Sequence, residues 1–174
     1  MRARNRENTS YRADLENLDL DLHPVGFLLY GEEMAHFQMT RRVEFCETDL
    51  AGIVHFANYY RYMEQAEHEF FRSLQLKIHG QFPDGTTYGW PRVAASANFS
   101  APAYYDDLLE IRLTILKRTR RSLTISYEFF RDQSKLASGE MKTAFCRVPN
   151  QGRIESADIP DEIAAALGAI APIL

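Results

Sequence analysis

Asp49, Gly52 and His55 fall within seven positions of the stretch Phe45-Cys46-Glu47-Thr48-Asp49-Leu50-Ala51-Gly52-Ile53-Val54-His55-Phe56-Ala57-Asn58-Tyr59-Tyr60. Alternating residues lead into it and a helical pattern leads out. A carboxylate just ahead of a helix sits beside the free N–H groups of the first turn and the positive end of the helix dipole. Such a junction can hold an attacking or proton-abstracting group next to one that polarises an electrophile. The same types have plainer uses: Asp suits caps and turns, and Gly52 suits a loop. His55 carries either charge state near neutrality. It could orient the acid or a water, contact substrate, or fill a wall. The junction alone leaves these readings open.

The elements that must position it are legible in the periodicity. Phe37, Met39, Val43 and Phe45 share one parity, which predicts a half-buried strand. From Ala57 to Leu76, Tyr59, Met63, Ala66, Phe70 and Leu74 recur at three- and four-residue steps, with charged side chains between them. This predicts an amphipathic helix of about five turns, with Asn58 as its cap. His79 to Gly89 reads as a loop. Four strand patterns follow: Val93–Ala101, Leu109–Ile115, Leu123–Phe129 and the less regular Leu136–Val148. Pro160 opens a short terminal helix. The alternation predicts an α+β layer, a five-stranded antiparallel sheet with one face covered by the long helix. Ala95 and Ala97 are expected to let the helix approach closely.

Bulk properties bound the function. The chain has 174 residues, which fits one domain, and a formal net charge of −4. That charge gives no general argument for nucleic acid or an anionic membrane as partner. Two distant cysteines, Cys46 and Cys146, form no metal spacing and are expected as free thiols in a reducing compartment. No apolar run approaches the ~20 residues of a membrane helix, and the Arg-rich start lacks the apolar core of a secretion signal. The expected compartment is the cytoplasm. Residues 1–35 read as an appended arm ahead of a domain at 36–174, with Met34 an alternative start. Arg118, Arg120 and Arg121 form the one dense basic cluster of the body.

Two blocks carry a resemblance. Asp49-Leu50-Ala51-Gly52-Ile53-Val54-His55-Phe56-Ala57-Asn58-Tyr59 resembles the signature of the 4-hydroxybenzoyl-CoA thioesterase family, and Ala101-Pro102-Ala103-Tyr104-Tyr105-Asp106-Asp107-Leu108-Leu109-Glu110-Ile111 resembles its strand–turn–strand. The similarity as a whole covers roughly residues 37–148. The resemblance implies the hot-dog fold, a bent sheet wrapped around one helix, and hydrolysis of an aromatic or short-to-medium acyl-CoA without a cofactor. It also implies a homodimer assembled into a tetramer, with each pocket completed by the partner chain.

For residue roles, the resemblance implies Asp49 as nucleophile or general base, and the backbone N–H of Phe56 as the donor to the developing oxyanion. Many bacterial relatives place an aromatic residue and then His before Ala-Asn-Tyr. Here the order is reversed, so the family histidine does not transfer directly to His55. Gly52, Tyr59, Tyr60 and Trp90, with Tyr88, are candidates for shaping the acyl pocket. Arg118, Arg120 and Arg121 are candidates for the CoA phosphates, which suit guanidinium groups. Glu64 and Glu67 are reserve carboxylates. Alternatives are a hot-dog hydratase or dehydratase and a non-catalytic acyl-CoA-binding protein.

Overall fold

The computed structural model describes residues 36–148 and 153–168; the predicted arm at 1–35 lies outside the described residues. In chain order these form β1 (Phe37–Arg42), a 3-10 turn (Phe45–Glu47), α1 (Phe56–Ser73), β2 (Gly80–Gln81), β3 (Thr87–Gly89) and β4 (Arg92–Phe99). They continue with β5 (Leu108–Arg118), β6 (Ser122–Arg131), β7 (Ser134–Ala144), β8 (Cys146–Val148), β9 (Glu155–Ser156) and α2 (Asp161–Gly168). The main sheet is antiparallel in the order β1-β5-β6-β7-β4, and the expected α+β layer is present. Its inward parity is Leu109, Ile111 and Leu113 on β5 and Leu123, Ile125, Tyr127 and Phe129 on β6, all buried. Each aliphatic or Phe side chain of that set gains about 1.5–3 kcal/mol from leaving water. Helix α1 lays Tyr59, Tyr62, Met63, Ala66, Phe70 and Phe71 onto this face. Register shifts between Arg92 and Ala94, between Ile115 and Lys117, and between Phe129 and Phe130 mark bulges, which bend and twist a sheet.

Several expectations need correction. β1 ends at Arg42, and the 3-10 turn throws Phe45 to the surface, where its ring meets Tyr105 edge-on. The helix–sheet approach expected at Ala95 and Ala97 of β4 also involves Gly139 of β7, which pairs with Ala97. A Cβ on Gly139 would lie 2.4 Å from the Met63 sulfur. The loop at 79–89 contains two short strands. They join β8 and β9 in a second sheet of order β2-β3-β8-β9. The predicted strand at 136–148 therefore divides at Phe145, whose buried ring packs against Tyr88 and Trp90. Both cysteines are free, Cys46 exposed and Cys146 buried. No helix among the described residues is long and apolar enough to cross a membrane.

Candidate active site

The segment after β1 is a tight excursion. Thr48 and Val54 form a bridge, Asp49 N–H donates to Ile53 O (2.9 Å), and Gly52 N–H donates to Asp49 O (2.9 Å). Gly52 sits at φ +74°, a conformation most side chains resist, so the glycine is required by the turn. One carboxylate oxygen of Asp49, Oδ1, accepts from Ala51 N–H at 2.8 Å. Asp49 is thus a turn residue as well as a candidate acid. Its second oxygen has no hydrogen-bond partner among the described residues.

The excursion is clamped from both sides. Val54 N–H donates to Ala103 O (2.8 Å), and Ile53 bridges Tyr104. The two blocks recognised in the sequence therefore meet side by side. Between them lies a cavity of ≈ 560 Å³, with Asp49, Ile53, Val54, Phe56 and Tyr59 on one wall and Phe99–Ala103 on the other. Tyr59 is buried, edge-on to Phe129 with centroids 5.1 Å apart and tilted against Phe99 at 5.0 Å. Burial pushes its hydroxyl pKa up, the Asp107 carboxylate adds to that rise, and Arg131 opposes it.

Helix α1 begins at this cavity. Its cap is His55 rather than Asn58: His55 Nδ1 accepts from Ala57 N–H at 3.3 Å, and its backbone is extended (φ −62°, ψ 131°). That bond assigns Nδ1 as an acceptor and leaves Nε2 to carry the proton of the neutral ring. The ring is exposed and lies on Phe56, centroids 4.5 Å apart. Asn58 is buried instead, donating from Nδ2 to Glu47 O at 2.7 Å, while its own N–H goes to His55 O. The N–H of Phe56, the first helical residue, has no partner among the described residues. It is an orphan donor at the positive end of an 18-residue helix.

The remaining candidates lie elsewhere in the chain. Tyr60 packs half-buried against the core. Trp90 is buried between Phe71 and Phe145 and does not line this cavity. Tyr88 stacks beside Phe145. Arg118 is buried, with Gly168 of α2 leaving room for its guanidinium. Arg120 and Arg121 are exposed, and both donate to Asp158, Arg121 Nε at 2.5 Å. This basic turn follows β5, whose other end adjoins the Asp49 excursion; the 11 residues between correspond to roughly 35 Å. Within one chain the arginines and Asp49 are therefore at opposite ends. Glu64 is exposed beside Arg92. Glu67 is fully buried, with Arg92 Nη1 donating to Oε1 at 2.9 Å and Nη2 standing 2.5 Å from Oε2. Neither glutamate reaches the cavity.

Sequence reasoning missed Glu47, which is buried beneath the excursion. Its carboxylate accepts from Tyr62 Oη and Glu44 N–H, each at 2.8 Å, and pairs with Arg41. The available signal was Arg41 itself, a charge on the inward parity of β1 that demanded a buried partner.

Known proteins share the sequence pattern and the fold. The profile of the Thioesterase-like superfamily matches residues 43–167. A putative esterase of Aquifex aeolicus is 36% identical over 127 residues, covering 73% of this chain and 94% of its own. The 4-hydroxybenzoyl-CoA thioesterase of Pseudomonas sp. is 36% identical over 85 residues, covering 48% of this chain and 60% of its own. The solved 1,4-dihydroxy-2-naphthoyl-CoA thioesterase of Synechocystis superposes with a TM-score of 0.65 at 26% identity, covering 75% of this chain and 94% of that one. With the acid, the capped helix start and the five-stranded sheet in place, the chain belongs to the thioesterase-like superfamily of the hot-dog fold and is a thioester hydrolase.

Proposed function

We propose that the protein hydrolyses an aromatic or short-to-medium-chain acyl-CoA to the free acid and CoA, with Asp49 and the Phe56 amide as its working groups. One observation carries this reading: Asp49, with one carboxylate oxygen unpartnered among the described residues, and Phe56, whose N–H is unpartnered at the helix start, line the same cavity. Asp49 either attacks the thioester carbonyl, forming a mixed anhydride that water then opens, or takes a proton from an attacking water. In both routes negative charge grows on the carbonyl oxygen. The Phe56 N–H and helix dipole stabilise it, and one such donor is typically worth ~3–4 kcal/mol in the transition state. The aromatic wall of Tyr59, Phe99 and Phe56 supports a flat acyl group, as do the aroyl-CoA names of the relatives. The position of Gly52 in the turn supports its part in shaping the acid's approach.

The protein works in the cytoplasm as a homodimer paired into a tetramer. β4 supports this: it is an edge strand, Val93 and Phe99 are each at least half exposed, and Phe99 also walls the cavity. A second copy against that edge would close the site, and it would give the exposed Arg120 and Arg121 a route to substrate from across the interface.

The test is free-thiol release from a panel of acyl-CoA esters, with Asp49→Asn alongside. Release that the variant abolishes while keeping the wild-type melting curve is expected. Change in a double bond without thiol release would point to a hydratase, and binding without either to an acyl-CoA-binding protein. Full activity of Asp49→Asn would remove the acid from the mechanism.

A further inference from the structure

We infer that Glu47 is a positioning residue for this reaction, setting where the Asp49 carboxylate stands relative to the Phe56 amide; the inference rests on the thioesterase reading above. Glu47 is tied down twice. Its carboxylate is held by the Arg41 guanidinium of β1, by the Tyr62 hydroxyl of α1 (2.8 Å) and by Glu44 N–H of its own turn (2.8 Å). Its backbone carbonyl in turn receives His55 N–H (2.9 Å) and Asn58 Nδ2 (2.7 Å), the residues on either side of the helix's first turn. One peptide, two positions before Asp49, thus fixes the residue just before Phe56.

A buried ion pair is by itself weak evidence of a stabilising role, because desolvation opposes the attraction. The arrangement instead carries positional information. An apolar side chain could fill the volume beneath the excursion, but it could not hold the Glu47 carbonyl in one orientation under the helix start. The Tyr62 hydroxyl stays a donor here, because burial and the bond to Glu47 push its pKa up. A misplacement of about 1 Å between reacting groups can cost ~100-fold in rate.

The experiment uses the full chain and the panel ester with the highest turnover. Glu47→Gln keeps the size but not both acceptor oxygens, and Tyr62→Phe removes one donor. The expected result is a fall in kcat of about 10- to 100-fold for Glu47→Gln and several-fold for Tyr62→Phe, with KM within about two-fold. The same ester, labelled with ¹³C at its thioester carbonyl, is then bound at saturation to Asp49→Asn. Its infrared carbonyl band should move to lower frequency on binding. Adding Glu47→Gln to that variant should shrink the displacement without weakening binding, which a merely structural role would not do. Unchanged kcat in both variants, or a band displacement in the double variant equal to that in Asp49→Asn alone, overturns the positioning role. Should Glu47→Gln fail to fold, Tyr62→Phe carries both measurements. Full activity of Asp49→Asn would instead sink the underlying assignment of the acid, so the two failures are distinct.

Discussion

Met63 of the long helix fills the space that Gly139 of β7 leaves open: a Cβ at position 139 would sit 2.4 Å from the Met63 sulfur and 3.0 Å from the backbone oxygen of Ser96. Met63 is fully buried and has little room to retreat. Gly139→Ala should therefore push the helix off the sheet at this contact. Overpacking of this kind typically costs ~1–3 kcal/mol. A drop in Tm of several degrees is expected by calorimetry, and an unchanged Tm would show that the methionine repacks freely.

Phe56 offers a clean separation of side chain from backbone. It is the first helical residue, where proline is well tolerated, and His55 before it already has the extended backbone that precedes proline. Phe56→Pro removes the proposed oxyanion donor and keeps the helix. Turnover should fall by about 10²–10³-fold with the circular dichroism spectrum unchanged. Phe56→Ala, which keeps the N–H, should retain most of kcat. Equal losses in the two variants would assign the effect to the side chain.

The exposed arginines already hold one anion. Arg121 and Arg120 hold the Asp158 carboxylate, keeping its pKa below the usual range. If they also take CoA phosphates, Asp158→Asn should lower KM for acyl-CoA by about two- to five-fold, the scale of an exposed ion pair. Arg120→Ala should raise it. Neither change should alter KM for a thioester lacking the nucleotide, and steady-state kinetics on both substrate types reads the difference.

Stability should respond to pH through Glu67. Burial raises its pKa above the ordinary value of 4.5, and Arg92 only partly opposes this. The folded chain then binds that proton more tightly than the unfolded chain. Stability from this group is present below pH 4.5 and is lost as pH rises through the raised value. Glu67→Gln should shrink the fall in Tm between pH 5 and pH 8. An equal fall in the variant would place the dependence on other groups.

The strands and helix were legible because burial on one face imposes period 2 or 3.6 on residue type, as in Leu109–Ile115 and Tyr59–Phe70. Asp49 and Gly52 stood out because a turn into a helix needs particular residues at short spacing, whereas Phe56 entered only through the family resemblance. What stayed hidden depends on chain geometry at long range. Trp90 was open to a pocket role because its type specifies apolar contact without saying with whom, and it packs against Phe71 and Phe145. Phe45 obeyed the parity of β1, but a 3-10 turn reset the direction of its side chain. Cap chemistry also misled: Asn58 is a favoured cap type, yet its amide is used beneath the helix while His55 does the capping. The far wall of the cavity, Phe99–Ala103, comes from a segment over forty residues downstream of Asp49, placed by main-chain contacts to the excursion and to β7 that no side chain encodes.

The edge strand β4 has a consequence for how the chain behaves in crowded solution. From Val93 to Phe99 it reads Val-Ala-Ala-Ser-Ala-Asn-Phe, without a charge or a proline, and its outer side is unpaired among the described residues. Uncharged, unguarded edges of this kind are templates for strand addition by any neighbouring chain. The folded chain therefore keeps one edge open to such pairing. Self-association of the folded protein through this edge should rise with its concentration.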